Sequence, residues 1–328
     1  MKAAKFQQFG DPEKVLFVSD HSLSPPDDDA VRIKVLLGNV NISDMALIRG
    51  KYNFFPDFPS LAGAEGVGTV LEVGKNISAY AVGDKVSFYS LYGAWAEEVN
   101  VLQKSLVRIP DELEDEVAAQ FYTNPITAVA MLEEAGLQEG DFLLLTAGAS
   151  SVSKLIIQFA RQSGIRVIAT VRHDILCDEL LELGAFAVVN TETNNLIREV
   201  QRMTETKGVS VVLDAVGGKT ASEAFHCLSP GGKMIVYGAL SGERIPLNSS
   251  ALIAKDISIS SFWTHRWFDR VYEGFPEKYL VFKQALIAKM SALKLKMPVE
   301  QIYPLQDIRQ AAAHFARSGR SGKILIKP

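Results

Sequence analysis

The sequence predicts an α/β protein in which a doubly wound parallel sheet is joined to a separate, β-rich domain. Three observations lead to this prediction. The chain has 328 residues, more than one compact core usually holds, so two domains are expected. The first ~118 residues are short alternating segments interrupted by Gly, Pro and Asp, which is typical of antiparallel strands. After residue 112, stretches with helical periodicity alternate with fully apolar runs, which is typical of a parallel sheet covered by helices.

The β-rich domain is predicted from three strand candidates near the start of the chain. These are residues 31–37, 66–73 and 85–89, each bounded by residues that favour turns. The end of the chain returns to a mixed pattern and finishes in the apolar run 322–326. We expect this run to be a terminal strand that rejoins the first domain.

The doubly wound sheet is predicted from apolar runs separated by helical stretches. Runs that are apolar throughout indicate strands buried on both faces, and right-handed crossovers between them give a parallel sheet. The runs are residues 142–146, 166–171, 187–189, 209–213 and 234–237, and residues 256–262 are expected to supply the last strand. The predicted domains are therefore 119–264 for this sheet, and 1–118 with 265–328 for the β-rich domain.

Composition and charge exclude several classes of function. The formal net charge is −4, with 34 basic and 38 acidic side chains, so no basic excess would attract nucleic acid or an anionic membrane. Only two cysteines occur, Cys177 and Cys227, which supports neither a disulfide framework nor a cysteine-rich metal site. The first residues show no signal or transit pattern, and no uncharged run reaches the ~20 residues of a membrane span. We therefore expect a cytoplasmic protein without nucleic-acid or membrane partners.

A dinucleotide-binding turn is the first candidate site. Residues 142–160 have the pattern of a strand, a tight turn and an amphipathic helix, but most glycines of a dinucleotide fingerprint are absent. In a Gly-x-x-Gly-x-x-Gly register the three positions hold Ala147, Ser150 and Ser153, and Gly148 is out of register. Small residues and helix N-terminal amides can still bind a pyrophosphate, whereas the plain alternative is a helix N-cap made of serines. The turn alone does not decide between the two.

The end of the next predicted strand indicates which cofactor would bind. Arg172, His173 and Asp174 follow that strand about 20 residues after the turn, where the group that binds the adenosine ribose belongs. An acidic residue there would bind the 2′-hydroxyl of NAD, whereas the guanidinium of Arg172 suits the 2′-phosphate of NADP. A solvated surface arginine is the alternative, and Asp174 leaves NAD binding open. The sequence therefore favours NADPH.

Five further segments are shared with a known superfamily. They are residues 63–70, 82–86, 124–128, 183–185 and 230–233, with the sequences Gly-Ala-Glu-Gly-Val-Gly-Thr-Val, Val-Gly-Asp-Lys-Val, Asn-Pro-Ile-Thr-Ala, Leu-Gly-Ala and Pro-Gly-Gly-Lys. On these segments, the chain resembles the medium-chain dehydrogenase/reductase superfamily over essentially all 328 residues. The resemblance implies a GroES-like catalytic domain beside a Rossmann-type dinucleotide-binding domain.

The same resemblance bears on metal binding. Zinc-dependent members of the superfamily carry a Cys where this chain has Asn41 and a His where it has Ala64. The chain also lacks their four-cysteine zinc lobe. Without thiolate or imidazole ligands, a tetrahedral zinc site is not expected.

Within the zinc-free branch, the chain is most similar to the 2-enoyl thioester reductases of fatty acid synthesis. The similarity rests on the run Asn-x-x-Asp-x-x-x-x-x-Gly-x-Tyr that ends at Tyr52, on residues 124–127 and 171–174, and on Phe262-Trp263. It implies NADPH-dependent reduction of the carbon–carbon double bond of trans-2-enoyl thioesters of coenzyme A or an acyl carrier protein. Two alternatives stay open: a quinone, alkenal or enone reductase of the same branch, and a non-enzymatic NADPH-sensing or structural protein.

The resemblance assigns a role to each candidate site residue. Tyr52 would be the catalytic acid, because a phenol is protonated at neutral pH and can hydrogen-bond or protonate an enolate. The alternative for Tyr52 is an aromatic anchor in a loop that also holds Phe54, Phe55 and Phe58. The cofactor-binding residues would be Asn124 and Thr127 at the nicotinamide, Ser150, Ser151, Val152 and Ser153 at the pyrophosphate, Arg172, His173 and Asp174 at the adenosine ribose phosphate, Tyr237, Gly238, Ala239, Leu240, Phe262, Trp263 and Thr264 along the cofactor, and Lys323 from the terminal strand.

The resemblance also implies an oligomeric state. Related proteins are commonly homodimers formed through the edge of the cofactor-domain sheet. Residues 256–260 are the candidate edge strand, because an unpaired strand edge invites pairing with a second chain. We therefore expect a homodimer that acts on a small-molecule substrate.

Overall fold

The structure is a computed structural model that describes residues 1–52, 54–317 and 319–328. These residues form two compact units, residues 1–125 with 274–328 and residues 126–273. The sequence predicts domain boundaries after residues 118 and 264, whereas the two compact units divide after residues 125 and 273. The predicted boundaries stay a prediction.

Strands and α-helices follow one another along the described residues. The strands are β1 (Lys2–Phe6), β2 (Leu16–Asp20), β3 (Ala30–Asn39), β4 (Ser60–Leu61), β5 (Glu65–Val73), β6 (Lys85–Tyr89), β7 (Glu98–Leu102), β8 (Leu106–Arg108), β9 (Phe142–Leu145), β10 (Arg166–Val171), β11 (Ala187–Asn190), β12 (Val209–Asp214), β13 (Leu228–Val236), β14 (Ser258–Ser261), β15 (Val299–Pro304) and β16 (Lys323–Lys327). The α-helices are α1 (Pro12–Val15), α2 (Ile42–Ile48), α3 (Asp115–Ala118), α4 (Asn124–Ala135), α5 (Ser151–Gln162), α6 (Cys177–Leu183), α7 (Leu196–Met203), α8 (Gly218–His226), α9 (Ser249–Ala254), α10 (Thr264–Tyr272), α11 (Pro276–Leu293) and α12 (Ile308–Ala316).

The first unit is built on a mostly antiparallel sheet with the strand order β15-β16-β3-β5-β6-β8, in which β7 also pairs with β3. A smaller antiparallel sheet has the order β2-β1-β4. Phe6 on β1 and Phe88 on β6 point into one core, together with Trp95 from the segment between β6 and β7. The terminal strand β16 pairs antiparallel with β3, so the expectation that the end of the chain rejoins the first domain is confirmed.

The second unit contains a parallel sheet with the strand order β11-β10-β9-β12-β13-β14. All of its strand pairs run parallel, which confirms the doubly wound sheet predicted from the apolar runs. The chain moves from β9 to β10 and β11 on one side, then returns to β12, β13 and β14 on the other. The switch in direction therefore lies between β9 and β12, where open α/β sheets bind their ligands.

The longest helix of the described ranges is α11, with 18 residues. Neither α11 nor any other helix within those ranges is long and apolar enough to cross a membrane.

Candidate functional site

A group of buried polar side chains lies at the start of α2 in the first unit. Asn41 Nδ2 donates to Glu65 Oε1 over 2.6 Å, and Asn39 Nδ2 donates to the same oxygen over 2.7 Å. The backbone N–H of Thr123 donates to Glu65 Oε2 over 2.8 Å. Three donors therefore hold the side chain of Glu65, which is fully buried at the first position of β5.

Two further ionisable groups belong to this site. Lys323, the first residue of β16, donates from Nζ to Asn41 Oδ1, and burial lowers the pKa of its ammonium group to about 8. Asp44 Oδ2 accepts the backbone N–H of Asn41 over 2.7 Å and so caps α2. Burial raises the pKa of Asp44 to about 7, although the bond from Asn41 acts in the opposite direction. Asn39, Asn41, Asp44, Glu65, Thr123 and Lys323 together form the Asn41–Glu65 cluster.

The resemblance found in the sequence places Asn41 of this cluster, and Ala64 beside Glu65, at the positions of two metal ligands of zinc-dependent members. Asn41, at the position of a cysteine, uses its amide for Glu65 and Lys323. Ala64, at the position of a histidine, is buried and offers no ligand atom on its side chain. Within the described ranges, no group of three or more His, Cys, Asp and Glu side chains could hold a metal ion.

Tyr52 follows α2 in the same unit and has a half-buried side chain. The centroid of its ring lies 5.7 Å from that of Phe54. A second phenol is near: burial raises the pKa of Tyr89, the last residue of β6, and the proximity of Tyr52 raises it further. Tyr52 is therefore placed beside another phenol in an aromatic environment, and its role as an acid stays a prediction.

Phe58, further along the same loop, packs against the core. The ring of Phe58 packs edge-on against Phe9, with centroids 5.1 Å apart, and against Phe6, with centroids 5.7 Å apart. Phe6 is a fully buried core residue, so these contacts fix the loop to the core. Phe58 therefore attaches this loop to the core, and the anchoring alternative for Tyr52 stays a prediction.

The dinucleotide-binding turn lies between β9 and α5 in the second unit. Ala147 adopts a φ of +50°, the left-handed conformation that the first glycine of a fingerprint would adopt without strain. A Cβ atom on Gly148 would lie 2.7 Å from Ala169 Cβ, so only glycine fits there without a shift. Ser150 caps α5, because its Oγ accepts the N–H of Ser153 over 3.2 Å. The serine cap is present, and the backbone still follows a fingerprint-like turn.

A chain of hydroxyl groups continues from this cap. Ser150 Oγ donates to Ser153 Oγ over 2.9 Å, and Ser153 Oγ lies 3.4 Å from the phenol oxygen of Tyr237. Burial raises the pKa of Tyr237, so this phenol keeps its proton at neutral pH. Residues predicted at the pyrophosphate and along the cofactor are thus brought together although they lie about 85 positions apart in the sequence.

The three residues predicted at the adenosine ribose phosphate follow β10, and all are exposed. Asp174 Oδ1 accepts a hydrogen bond of 2.7 Å from Asn190 Nδ2. One carboxylate oxygen of Asp174 is therefore engaged within the protein, whereas the guanidinium of Arg172 is open to solvent.

A residue predicted at the nicotinamide, Thr127, is in contact with one predicted along the cofactor, Thr264. Thr127 Oγ1 lies 2.8 Å from Thr264 Oγ1, within hydrogen-bond distance. Phe262 is buried and Trp263 is half-buried, with its ring 5.3 Å from that of His265. The structure thus links the first turn of α4 to the start of α10.

The candidate residues of the second unit follow the ends of several parallel strands. Residues 150–153 follow β9, residues 172–174 follow β10, residues 237–240 follow β13 and residues 262–264 follow β14. Because the carboxyl ends of parallel strands share one edge, these groups lie along the same edge of the sheet. Tyr52, Asn124 and Lys323 belong to the first unit. The cofactor-binding roles of all these residues stay predictions.

Sequence reasoning missed two sets of polar residues. It gave Glu65 and Thr123 no role, and it assigned no task to Asp214, which is fully buried and bonded to Thr146. One signal was available, namely an acidic residue within or at the end of an otherwise apolar strand. The partners of these acids were not visible, because they depend on which strands become neighbours.

Comparison with protein families and characterised relatives agrees with this arrangement. The family described as Alcohol dehydrogenase GroES-like domain matches residues 27–111, and the family described as Zinc-binding dehydrogenase matches residues 151–277. The mitochondrial enoyl-acyl-carrier-protein reductase of Rattus norvegicus is 32% identical over 327 residues, which cover 95% of this chain and 84% of the rat protein. The Homo sapiens protein of the same name is 31% identical over 317 residues, with the same two coverages, 95% and 84%.

Solved structures with the same fold include two bacterial proteins. Escherichia coli quinone oxidoreductase complexed with NADPH is similar with a TM-score of 0.90 at 25% identity, covering 100% of both chains. The quinone oxidoreductase of Pseudomonas syringae pv. Tomato is similar with a TM-score of 0.89 at 26% identity, covering 100% of this chain and 99% of the other.

Proposed function

Because the chain belongs to the medium-chain dehydrogenase/reductase superfamily and is an oxidoreductase, we propose that it reduces the carbon–carbon double bond of trans-2-enoyl thioesters. NADPH would be the reductant and no zinc would take part. One observation carries this proposal: Asn41, at the position of a zinc-ligating cysteine, is hydrogen-bonded to Glu65. The phenol of Tyr52 lies in the same unit. The group that stabilises negative charge on the substrate carbonyl oxygen would then be a hydrogen-bond donor rather than a metal ion.

The residues of the second unit fit a dinucleotide with a 2′-phosphate. The left-handed turn at Ala147 and the crowded Gly148 bring backbone close to the N-terminus of α5, where N–H groups without intrahelical acceptors suit a pyrophosphate. Arg172 would bind the 2′-phosphate, since it is exposed at the end of β10. Asp174 is a poor competitor for a ribose hydroxyl, because it already accepts a bond from Asn190.

The role of the protein in the reaction would be to stabilise the negative charge that develops on the carbonyl oxygen of the substrate. When bound, NADPH supplies a hydride to the β-carbon of the enoyl thioester. Tyr52 would donate a hydrogen bond to the resulting enolate oxygen while water protonates the α-carbon, or would donate its own proton to the α-carbon and be reprotonated by water. A preorganised donor of this kind typically lowers the barrier by ~3–4 kcal/mol in oxyanion-type sites. Asn124 and Thr127 would orient the nicotinamide end.

A quinone, alkenal or enone is the second candidate substrate. It is supported by the fold similarity to the Escherichia coli quinone oxidoreductase over the full length of both chains. The same donor arrangement would stabilise charge on the carbonyl oxygen of a free conjugated carbonyl compound. The two candidates therefore differ in the group attached to that carbonyl, and not in the hydride chemistry.

A substrate comparison tests the proposal directly. Initial rates would be measured with crotonyl-coenzyme A, crotonyl-acyl carrier protein, 1,4-naphthoquinone and a free enone, each with NADPH and with NADH. We expect the highest kcat/KM for a thioester with NADPH. Comparison of crotonyl-coenzyme A with crotonyl-acyl carrier protein then shows which of the two carries the preferred substrate. A quinone turned over far faster than either thioester would overturn the first candidate in favour of the second. No turnover with any substrate would favour a sensing or structural role.

We also propose a homodimer formed through β14. This strand is at the end of the parallel sheet, and all of its residues are exposed, with Ile259 39% exposed. An unpaired and partly apolar edge favours pairing with a second copy. Light scattering after size exclusion should give a dimer for the native chain and a monomer for Ile259→Lys. A native monomer would contradict the proposal.

A cytoplasmic location is proposed from the sequence alone. The rat and human relatives are named as mitochondrial proteins. Cell fractionation of the full chain would decide, and recovery with mitochondria would contradict the proposal.

A further inference from the structure

A buried pair of polar side chains lies at the switch point of the parallel sheet. Thr146 follows β9, and Asp214 is the last residue of β12, the neighbouring strand across the switch point. Both side chains are fully buried, and Thr146 Oγ1 donates to Asp214 Oδ1 over 2.6 Å. Ligands of doubly wound sheets bind just beyond the carboxyl ends of the strands at this point. The pair thus lies directly under the edge that carries the candidate cofactor residues.

The pair holds the turn that follows β12. Asp214 Oδ1 also accepts the N–H of Val216 over 3.2 Å, and Asp214 Oδ2 accepts the N–H of Gly217 over 2.9 Å. Thr146 Oγ1 accepts the N–H of Ala215 over 2.9 Å. The backbone N–H groups of three consecutive residues are therefore bound by these two side chains.

Residues 215–217 also hold the candidate cofactor residues that follow β13. The N–H of Leu240 donates to the carbonyl of Ala215 over 3.0 Å, and the N–H of Ser241 donates to the carbonyl of Val216 over 2.9 Å. A Cβ atom on Gly238 would lie 2.7 Å from the carbonyl oxygen of Ala215, so the two turns are in close backbone contact. A shift of residues 215–217 would consequently displace residues 237–240.

We infer that Thr146 and Asp214 are positioning residues for the cofactor, which fix the turns at residues 215–217 and 237–240 at the switch point. The inference rests on the proposed use of NADPH. The residue types fit this task. The two carboxyl oxygens of Asp214 accept three hydrogen bonds. An asparagine at this position would turn an N–H group toward at least one of the three donors. The threonine hydroxyl is needed both as a donor and as an acceptor.

The test compares NADPH binding by variants that alter this pair. Thr146→Val removes both bonds of the hydroxyl at nearly constant volume, Thr146→Ser keeps them, and Asp214→Asn replaces one acceptor atom by a donor. The Kd for NADPH would be measured by titration of the full chain with nicotinamide fluorescence, alongside the thermal midpoint. We expect Kd to rise about tenfold or more for Thr146→Val and Asp214→Asn, and to stay within about twofold for Thr146→Ser. The KM for NADPH should rise in parallel, with kcat at saturating NADPH nearly unchanged.

Thr204→Val is the matched control. Thr204 lies in the segment between α7 and β12, away from the carboxyl end of β12. The buried hydroxyl of Thr204 also makes two bonds, donating to the carbonyl of Val200 over 2.8 Å and accepting the N–H of Gly208 over 3.0 Å. Its loss should lower the thermal midpoint as much as Thr146→Val does, with no change in Kd.

Each outcome separates the inference from the proposed function. A native chain that does not bind NADPH would overturn the proposed cofactor. Native binding with unchanged Kd in Thr146→Val and Asp214→Asn would overturn the inference alone. An equal rise in Kd for Thr204→Val would also overturn it, because the effect would then be general destabilisation. If both pair variants fail to fold, the pair is a structural element and the inference is wrong.

Discussion

The Asn41–Glu65 cluster of the first unit gathers ionisable side chains in the interior, whereas the candidate cofactor residues of the second unit present hydroxyls, backbone N–H groups and an exposed guanidinium. In the Asn41–Glu65 cluster, Asp44, Glu65 and Lys323 are each less than one tenth exposed. At the edge of the parallel sheet, Ser150 caps a helix and Arg172 is open to solvent. The two regions therefore hold polar groups for different purposes.

This difference has a physical consequence for each region. Buried ionisable groups depend on every partner they have, because a lost partner leaves a charge or a donor in a low-dielectric interior. Exposed groups at a strand edge contribute little to folding but can bind a ligand strongly. Substitutions in the cluster should therefore change stability, and substitutions at the strand edge should change affinity.

Glu65→Gln is expected to cause the largest loss of stability. A glutamine side chain presents one acceptor and one donor, so one of the three donors bound by Glu65 would face an N–H group. We expect the free energy of unfolding to fall by about 2–4 kcal/mol. Urea denaturation followed by circular dichroism measures this change.

Glu72→Gln is the matched control, because it makes the same substitution on the same strand at an exposed site. Glu72, whose side chain is 49% exposed, forms an ion pair with Arg32, with 3.4 Å between the nearest nitrogen and oxygen. Such pairs contribute about 0–1 kcal/mol. Equal losses in the two variants would contradict the account of the cluster.

Arg172→Ala is expected to lower affinity for NADPH without a comparable loss of stability. Removal of the guanidinium would abolish charge-assisted bonds to a 2′-phosphate, which corresponds to about a 10- to 100-fold rise in KM for NADPH. The KM for NADH should be unchanged, since NADH has no such phosphate. Steady-state kinetics with both cofactors measure this difference.

Arg166→Ala is the control for that experiment. Arg166 begins β10, at the opposite end of the strand from Arg172, and donates to the carbonyl of Gly140 over 2.8 Å. Its loss should leave KM unchanged for both cofactors. A similar rise in KM for both arginine variants would mean that Arg172 acts through the fold or through net charge.

A third expected effect is a dependence of stability on pH that originates in Asp44. Burial raises its pKa from 3.8 to about 7; Glu65 acts in the same direction, and Lys323 and the N–H of Asn41 oppose it. Between these values the folded state holds a proton that the unfolded state has released. This contribution to stability is therefore complete below pH ~3.8 and is lost as pH rises through ~7, with a slope of at most about 1.4 kcal/mol per pH unit.

Asp44→Asn removes that titration but keeps an oxygen that can accept the N–H of Asn41. The free energy of unfolding of the variant should rise relative to that of the native chain as pH increases from 4 to 7. Urea denaturation of both proteins across this range measures the difference. Parallel pH profiles would show that Asp44 is already ionised throughout.

Most of the second unit could be predicted from its sequence. The apolar run 166–171 coincides with β10, and the runs 142–146 and 209–213 differ from β9 and β12 by one residue. Strands buried on both faces are visible as continuous apolar runs, and parallel strands bring their carboxyl ends to one edge whatever the loop lengths. The location of the candidate cofactor residues therefore follows from a local pattern.

The Asn41–Glu65 cluster could not be predicted in the same way. Glu65 and Lys323 lie far apart in the sequence, and they are brought together because β5 and β16 both pair with β3. No local pattern encodes such pairings, since they depend on the register of distant strands. In the sequence, Asn41 and Ala64 indicated that two zinc ligands are lacking. They did not indicate which side chains form hydrogen bonds with Asn41.

Tyr52→Phe tests most directly whether a phenol of the first unit is the acid of the reaction. We expect kcat with crotonyl-coenzyme A to fall by about 100-fold or more, while the Kd for NADPH from fluorescence titration stays within about twofold. Tyr303→Phe is the control, because it removes another phenol of the same unit, one within 3.0 Å of His314 Nδ1, and should keep its turnover. Near-normal turnover in Tyr52→Phe would remove this residue from the mechanism.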